Sequence, residues 1–580
     1  MSRTHQKGKT IAERLQILYE GSEAADAEKA VNELIDRYRK RFASREYELS
    51  EKDIILISYG DQVQHPGQPA LKTLREFLNS TVEGVINSVH ILPFFPYSSD
   101  DGFSVIDYLA VNPRLGRWQD VEDFRDDGYR LMFDCVINHI SQHSNWFRKY
   151  LECDPDYADY FTHVDPRTDL SDVVRPRTSP LLTDFTDAEG RQRSIWCTFS
   201  ADQVDLNYAN YRVLISVLEV LFEYVMRGAV LIRLDAIAFV WKTLGTGCVH
   251  LQETHEVIQL MREVLHQVVP ELIIITETNV PHKENISYFG NGEDEAQMVY
   301  NFALPPLLAY SILKGDTSVL TEWARTLELP GERGCFFNFT ASHDGVGLRP
   351  VQDILPPEDI GFLVHTAESH GGRVSYRAMG DGKVSPYEIN CNYLDLLTHP
   401  DESDDLRIKH MILSQAVVLA MPGVPGIYFH SLVGARNYVE GVEKTGINRS
   451  INREKLALAD LQRELADSRH LRARIFTVYR RLLQIRSQQP AFEPYGAFQF
   501  LETIAGVFAV ERTDRAGTQS ILALHNFTGR VRGYPLPEGW LTEDSAPLTD
   551  LITNDELTPV DGRVQLSPYK VRWFARSIQA

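Results

Sequence analysis

Short apolar runs alternate with amphipathic stretches over most of the chain. Residues 10–43 place their apolar side chains mostly three or four positions apart, which predicts helices. Eight apolar runs follow, and several of them lack alternating polar positions, as do strands that are buried on both faces. The candidate strands are residues 53–58, 84–92, 130–137, 229–235, 271–277, 298–304, 333–341 and 424–429.

Eight such strands alternating with helices predict an α/β protein built on a closed (β/α)8 barrel, the TIM barrel. We assign residues 51–140 and 206–490 to the barrel and residues 1–50 to an N-terminal helical extension. Residues 141–205, after the third strand, are rich in Pro, Asp, Arg and Thr and form a predicted inserted subdomain. Residues 495–580 contain short alternating strands, which predict a C-terminal antiparallel β domain.

Charge and cysteine content narrow the function classes. The 580 residues include 59 basic and 80 acidic side chains, a net charge of −21, which repels nucleic acids and anionic membranes. An anionic substrate would therefore need a local cluster of arginines. The six cysteines form no C-x-x-C pair, the N-terminus has no signal-peptide pattern, and no stretch approaches the roughly 20 apolar residues of a membrane span. We expect a cytoplasmic protein.

Polar residues that follow the predicted strands are the candidates for chemistry, because barrel enzymes carry their active sites at the carboxyl ends of the strands. Any single acid there could simply cap the next helix. Acids after strands four, five and seven, with an arginine beside one of them, are hard to explain as independent caps, so we predict one carboxylate-rich pocket. The candidates are Asp100, Asp101, Asp134, Asn138, His139, Arg233, Asp235, Glu277, His343 and Asp344.

Paired carboxylates suit glycosyl transfer, in which one anion attacks the anomeric carbon and a protonated acid donates to the leaving oxygen. Arg233 lies two residues before Asp235 on the same strand face, so we expect it to lower the pKa of Asp235 and keep that group anionic. Glu277 ends an apolar run, and we expect burial to raise its pKa, as an acid requires. Asp344 would stabilise positive charge in the transition state.

Four segments resemble the motifs of the α-amylase family of glycoside hydrolases (family 13), specifically its sucrose phosphorylase branch. They are DCVINHIS (134–141), IRLDAIAF (232–239), ITETNVPH (275–282) and ASHDGVGL (341–348). The resemblance implies that Asp235 is the nucleophile, Glu277 the acid/base and Asp344 the transition-state stabiliser. It assigns supporting roles to Arg233, His139 and His343.

The glucose subsite is also implied by resemblance to the phosphorylase branch. HILPFFPYSSDDGFSVIDY (90–108) resembles the loop in which Asp100 and Phe103 would line that subsite. GINRSINR (446–453) places Arg449 where the family has an arginine that clamps glucose together with the loop aspartate. The resemblance implies double displacement with retention, with the nucleophile and the acid about 5–5.5 Å apart.

The acceptor side carries further matches. FSADQVDLNY (199–208) resembles the family's inserted subdomain, with Phe199 as a wall of the site and Gln203 near the acceptor. PYEIN (386–390), which contains Glu388, corresponds to a mobile loop that exchanges acceptor contacts for phosphate contacts.

Phosphate is an anion, so a phosphorylase with this charge needs local cations. Arg177, within RPR at 175–177, is our first candidate, and Arg373 and Arg377 are the second candidates. The alternative is that these are solvated loop arginines.

Departures from plain sucrose phosphorylases bear on the substrate. Phe239 stands where those enzymes have a Tyr, Asn279 where they have a His, and Glu388 where they have a Gln. The longer chain, with segments 277–292 and 370–390, looks more like the glucosylglycerate phosphorylases and their glucosylglycerol and sucrose 6′-phosphate relatives. We rank glucosylglycerate first, glucosylglycerol second and sucrose 6′-phosphate third.

Two other functions compete with a phosphorylase: a hydrolase or transglucosidase on the same scaffold, and a non-catalytic barrel. The three intact acids speak against the second. We expect no cofactor and no metal, with inorganic phosphate as a co-substrate, and a monomer or homodimer that acts on a small sugar substrate.

Overall fold

Eight parallel strands close into a barrel, and every predicted barrel strand is present in it. The computed structural model describes residues 8–42, 47–379, 382–502, 504–540 and 547–578. Parts of the predicted N-terminal extension, of segment 370–390 and of the C-terminal domain lie outside these residues. The barrel strands are β1 (Ile55–Ser58), β3 (Ser88–Ile91), β4 (Arg130–Val136), β9 (Ala229–Asp235), β10 (Ile273–Thr276), β11 (Met298–Tyr300), β12 (Cys335–Asn338) and β16 (Val424–Tyr428), numbered with all strands along the chain.

The prediction of a (β/α)8 barrel is therefore confirmed. The strands follow one another around the barrel in chain order, and β16 closes it against β1 with Ile55 beside Gly426. Strand β1 is buried at all four positions, as its unbroken apolar sequence predicted. Several predicted runs extend beyond the paired residues: the run at 298–304 becomes a three-residue strand and then the start of a helix at Leu304.

Seventeen helices surround the barrel and its additions within the described residues. Helix α13 illustrates their construction: the Ser403 hydroxyl accepts a hydrogen bond from the Leu406 amide, and two aspartates occupy the first turn, where the helix dipole favours anions. The helices are α1 (Ile11–Leu18), α2 (Ser22–Arg39), α3 (Ala70–Thr81), α4 (Trp118–Asp126), α5 (Asn145–Leu151), α6 (Tyr211–Met226), α7 (Gln252–His266), α8 (His282–Ile286), α9 (Leu304–Lys314), α10 (Ser318–Ala324), α11 (Pro357–Ser369), α12 (Tyr393–Leu396), α13 (Asp404–Ala420), α14 (Phe429–Leu432), α15 (Val439–Thr445), α16 (Leu458–Ala466) and α17 (Leu471–Arg486).

The two N-terminal helices, α1 and α2, pack on the outside of the barrel. Arg14, which is buried, donates to Glu256 of α7 at 2.7 Å. Tyr38 stacks on Phe222 of α6 with ring centroids 4.6 Å apart. Their apolar residues join the barrel's own core, so this extension covers helices that would otherwise face water.

The inserted segment after the third barrel strand contains more regular structure than its composition suggested. It holds α5 and two antiparallel strand pairs: β5 (His139–Ser141) with β8 (Gln203–Asp205), and β6 (Leu182–Thr186) with β7 (Gln192–Trp196). The fully buried carboxylate of Asp205 holds the C-terminal end of the inserted segment in place. It accepts hydrogen bonds from the Thr198 amide at 2.9 Å and from the Asn138 side chain at 3.0 Å, and it lies 2.8 Å from Lys242 Nζ.

The segment at 370–390, which we predicted as a loop, is largely a β-hairpin. Strands β14 (Arg373–Ala378) and β15 (Val384–Asn390) pair with each other, and β15 also pairs with β13 (Val346–Gly347). This three-stranded sheet lies between the seventh and eighth barrel strands. The loop prediction failed because the hairpin strands are only partly buried and show little apolar periodicity.

The C-terminal region is antiparallel, as predicted, and has a small core of its own. Its main sheet has the order β18 (Ala497–Phe500), β19 (Val507–Thr513), β20 (Gln519–Asn526) and β25 (Val571–Ser577). The remaining strands form the pairs β2 (Val63–Gln64) with β17 (Leu456–Ala457), β21 (Arg532–Pro535) with β24 (Arg563–Leu566), and β22 (Leu548–Thr549) with β23 (Glu556–Leu557). Arg512 joins this region to the barrel, because its guanidinium donates to the carbonyl of Met421, just past α13, at 2.7 Å.

Across the described ranges, we find no helix whose length and apolar character would let it cross a membrane.

The Lys242–Asp205 pair gives a stability prediction. Lys242→Met leaves a buried carboxylate without its cation, so we expect the free energy of unfolding to fall by about 3–5 kcal/mol. Lys72→Met is the control, since Lys72 pairs with Glu76 at 3.8 Å on an exposed surface and should cost below about 1 kcal/mol. Urea unfolding followed by circular dichroism measures both, and equal losses would contradict the structural role of the buried pair.

Candidate active site

Arg233 lies beneath the pocket at the carboxyl ends of the barrel strands and joins its acids. Parallel pairing of β4 and β9 sets Asp134 beside Arg233. The Arg233 guanidinium is buried and donates to Asp134 and to Asp235, each at 2.6 Å, and it lies 3.7 Å from Glu277. Asp134 is further held by His90 at 2.6 Å. One cation is thus shared by three carboxylates from three neighbouring strands.

Asp235 and Glu277 differ in their contacts with that cation. Arg233 binds Oδ1 of Asp235, which leaves Oδ2 without a hydrogen bond from the described residues. Among the described residues, Glu277 accepts a hydrogen bond only from the Ala236 amide, at 3.2 Å on Oε2. Ala236 takes a left-handed conformation (φ 53°) directly after Asp235, and this turn aims its amide at Glu277. The arrangement provides one anion paired with arginine and one weakly held carboxyl group.

The pKa values follow from burial and from these contacts. Burial raises the pKa of Glu277 to about 8, with Asp235 and Asp344 adding to the rise and Arg233 opposing it. This agrees with the sequence-based expectation of a raised pKa. For Asp235 the expectation was wrong: burial raises its pKa, and Arg233 only reduces that rise. Burial removes more hydration from this carboxylate than one arginine offsets.

Asp344 and Glu388 share a second arginine, Arg449. The Arg449 guanidinium lies 2.6 Å from Asp344 and makes a two-point contact with Glu388 at 3.0 and 2.7 Å. Burial alone would raise the pKa of Asp344, but Arg449 and Arg233 outweigh it and hold that pKa below its ordinary value. Asp344 is therefore an anion at the pocket wall.

The loop after the second barrel strand is held by a third arginine, Arg453. Its guanidinium lies 2.7 Å from Asp101 and 3.9 Å from Asp100, and it donates to the His343 carbonyl at 2.8 Å. Gly102 makes the turn possible, because its φ of 116° and its contact with the Pro93 carbonyl exclude a Cβ. Arg453 is the nearer partner of Asp100, and Arg449 binds Asp344 and Glu388. Asp100 and Arg449 both line the pocket, and their joint contact with glucose stays a prediction.

Aromatic rings and a histidine form the wall that faces the acids. Phe103 stacks on His343 with centroids 4.6 Å apart. His139 Nε2 lies 3.1 Å from the side-chain amide nitrogen of Gln203. The centres of the His139 and Phe199 rings are 5.2 Å apart. These contacts come from the loop after strand two, from the inserted segment and from strand seven, so the pocket depends on all three.

Most of the predicted site residues line this one pocket, which encloses about 680 Å³ including space open to solvent. Arg233 lies beneath it, and Arg373 and Arg377 do not line it. Arg373 is exposed and donates to the carbonyl of Gly372 at 3.0 Å, so its predicted contact with phosphate is not supported. The predicted residues that line the pocket are Asp100, Phe103, His139, Arg177, Phe199, Gln203, Asp235, Glu277, His343, Asp344, Glu388 and Arg449.

Arg177 is the pocket cation without a carboxylate partner. Its guanidinium lies 5.5 Å from the ring centre of Phe199 and 5.0 Å from that of Tyr387, and it donates a hydrogen bond to the Pro176 carbonyl at 3.3 Å. Among the described residues, no carboxylate lies within 4.0 Å of it. Two stacked rings hold the guanidinium in place and leave its N–H groups for an anion.

Several pocket residues were absent from the predicted set. Tyr387 lines the pocket beside Glu388, and Asn279 and Phe239, noted only as departures, line it as well. Consecutive side chains of a strand normally point to opposite faces, yet Tyr387 and Glu388 both line the pocket. A β-bulge explains this, because the register of β14 and β15 shifts between Ser375 and Tyr376. Such a bulge has no sequence signal.

Within the described part of the chain, no cluster of three or more His, Cys, Asp or Glu side chains is arranged to hold a metal ion.

Comparison with known proteins adds the family. Residues 83–328 match the family model described as the catalytic domain of alpha amylase. A glucosylglycerate phosphorylase of Spirochaeta thermophila is 45% identical over 97% of this chain and 98% of its own. One from Escherichia coli is 40% identical over 97% and 99%. A crystal structure of sucrose 6F-phosphate phosphorylase from Thermoanaerobacter thermosaccharolyticum superimposes with a TM-score of 0.72, at 23% identity over 82% of this chain and 94% of that one.

The position of Arg453 gives a prediction for the pocket. Arg453→Lys keeps the charge but loses the fork that joins Asp101 to the His343 carbonyl. Since a hydrogen bond to a charged group contributes about 1.5–3 kcal/mol, we expect kcat/KM for the glucosyl donor to fall roughly 10- to 100-fold. Arg472→Lys is the matched control, because Arg472 pairs with Glu464 at 2.8 Å outside the pocket. An unchanged kcat/KM in Arg453→Lys would show that this arginine does not help to shape the donor site.

Proposed function

The chain belongs to the α-amylase family of glycoside hydrolases, and we propose that it is a retaining phosphorylase that cleaves glucosylglycerate. Inorganic phosphate would be the second substrate, and α-D-glucose 1-phosphate and glycerate would be the products. The glucosylglycerate phosphorylases that are 40% and 45% identical over almost the whole chain support this substrate.

Arg177 is the observation that carries the proposal. Arg233, Arg449 and Arg453 are each bound to carboxylates in or beside the pocket, whereas Arg177 has no carboxylate partner within the described ranges. A hydrolase needs no cation at this place, because water is neutral. Phosphate and glycerate are both anions, and each needs a guanidinium to enter a pocket lined by Asp100, Asp235 and other acids.

In the first step, the free Oδ2 of Asp235 attacks the anomeric carbon of the glucosyl unit. The bond from that carbon to the glycerate oxygen breaks, and the oxygen takes the proton of Glu277. Asp344, an anion, stabilises the positive charge that develops on the sugar ring. Glycerate then leaves, and a glucosyl ester of Asp235 remains.

In the second step, a phosphate oxygen attacks the same carbon from the side that glycerate has left. The ester bond to Asp235 breaks, and the Glu277 carboxylate accepts the proton of the attacking phosphate. Two inversions at one carbon retain the α configuration. Arg177 would orient the phosphate and offset its charge against the acids.

The other acceptors are the lesser options. Glycerol is neutral and offers no anionic group for Arg177 to bind. Fructose 6-phosphate offers an anionic group but is a larger molecule than glycerate. Water as the second nucleophile would make the enzyme a hydrolase. These alternatives are the outcomes that the acceptor experiment below separates.

We also propose a cytoplasmic enzyme that acts on small molecules as a monomer or homodimer, without nucleic acid or membrane partners. The net charge of −21 and the six free cysteines support this setting. Phosphate is a co-substrate in this proposal, and no metal or organic cofactor has a step in it.

The raised pKa of Glu277 gives a pH prediction. The first step needs Glu277 protonated, and its pKa is about 8, so kcat/KM for glucosylglycerate should fall as the pH rises through 8. Glu277→Gln should lower this kcat/KM about 100- to 10,000-fold and, with α-glucosyl fluoride as donor, should remove the alkaline fall, because fluoride leaves without a proton. The same fall in the variant would assign the titration to another group.

Phosphate release from α-glucose 1-phosphate tests the function directly. With D-glycerate, glycerol, fructose 6-phosphate, fructose or no acceptor, we expect release to be fastest with glycerate and near zero without an acceptor. Asp235→Asn is the control and should release none. Equal release in every well would make water the nucleophile, and no release with any acceptor would refute the phosphorylase.

A further inference from the structure

We propose that Arg349 and Arg377 form an oxyanion subsite beside Tyr387, a residue that lines the acceptor end of the pocket. Its ligand is an oxyanion of the reaction, either the carboxylate of glycerate or inorganic phosphate. The inference rests on the proposed function, and it identifies residues that determine the preference for anionic partners. Arg349 has no role in the site as described so far.

The three-stranded sheet brings these two arginines to Tyr387 from opposite sides. Tyr387 is on the central strand β15. On one side, the Leu348 amide donates to the Tyr387 carbonyl at 2.9 Å, and Arg349 is the next residue. On the other side, Arg377 of β14 pairs with Ser385, two positions from Tyr387. Arg177 completes the set, with its guanidinium 5.0 Å from the centre of the Tyr387 ring.

Neither arginine has an anionic partner in the part of the chain that the structure describes. Arg349 is 7% exposed, and its Nε is buried without a hydrogen-bond acceptor. The Nε of Arg377 is likewise buried and unpaired. No carboxylate among the described residues lies within 4.0 Å of either guanidinium, whereas Arg233, Arg449 and Arg453 each have at least one. Burying a cation without a partner is costly, and such groups are normally paired.

The surrounding charges leave the cluster positive. Burial raises the pKa of Glu284, whereas both arginines lower it, and the Glu284 carboxylate lies 3.1 Å from His250 Nε2. The negative charge of Asp353 raises the pKa of Glu284. Burial and the neighbouring Arg349 lower the pKa of Arg377, as expected for a half-buried cation beside another cation. The Glu284 side chain is 45% exposed, so water reaches this acid and screens its charge.

A small oxyanion fits what the cluster offers. Two guanidinium groups present several N–H donors to a carboxylate or a phosphate, and the planar fork matches the paired oxygens of both. Glycerol lacks such a group, which makes it the neutral probe of the same reaction.

Steady-state kinetics of Arg349→Gln and Arg377→Gln test the subsite. With α-glucose 1-phosphate as donor, we expect KM for D-glycerate, or KM for phosphate in the forward reaction, to rise about tenfold or more. We expect kcat/KM for glycerol as acceptor to stay within about twofold, and Arg349→Lys to recover part of the lost affinity. If KM rises for glycerate alone, the subsite binds the glycerate carboxylate. If KM rises for phosphate alone, it binds phosphate, and a rise in both KM values means that the two anions share the subsite.

Arg333→Gln is the matched control, since it removes the same charge from an exposed loop before β12, at the opposite end of the barrel. The subsite is refuted if neither KM moves in variants that unfold at the wild-type temperature. A loss of glycerol activity equal to the loss with glycerate would also refute it, as general damage to the pocket. A wild-type enzyme that does not release phosphate with glycerate would instead refute the proposed function.

Discussion

Arg233 is the interaction on which the active site depends. Its guanidinium is buried beneath three carboxylates of neighbouring strands and binds two of them at 2.6 Å. Without this cation, Asp134, Asp235 and Glu277 would repel one another in a space with little water, and protonation would remove the nucleophile. With it, one carboxylate remains paired with arginine while Glu277, farther away, keeps a raised pKa. One buried arginine thus allows two similar groups to take opposite roles.

The other arginines divide the pocket by charge. Arg449 and Arg453 are bound to acids of the glucose-facing loops, so that half of the pocket is rich in carboxylates and suits a sugar that gains positive charge. Around Tyr387, arginines lack such partners, and that half suits anions. A protein of net charge −21 can therefore admit phosphate without weakening the stabilisation of the glucosyl cation. The separation of the two halves, more than any single contact, is what a phosphorylase on this scaffold requires.

The sequence was sufficient for the barrel and for the residues at the ends of its strands. Strands buried on both faces leave unbroken apolar runs, and Asp235 and Glu277 stand directly at the ends of two of them. Arg453 was missed because its partners, Asp101 and the His343 carbonyl, lie far from it in the chain. Arg349 was missed because its approach to Tyr387 depends on how the segment after strand seven folds against β15. Tyr387 was missed because a bulge, which no pattern announces, turns it into the pocket. Local patterns predict elements, whereas these contacts arise between elements.

Competition with water is the last constraint on a glucosyl-enzyme that must wait for phosphate. Water is small, abundant and needs no binding site, so phosphate can prevail only if it is bound close to the anomeric carbon and water is held away. Phe199, Phe239 and Tyr387 provide an apolar wall at the acceptor end, and two of these rings also hold Arg177. The same aromatic surface therefore excludes the wrong nucleophile and orients the cation that attracts the right one. Because both effects come from the acceptor end, substitutions there would shift the balance between phosphorolysis and hydrolysis while leaving the chemistry of Asp235 and Glu277 in place.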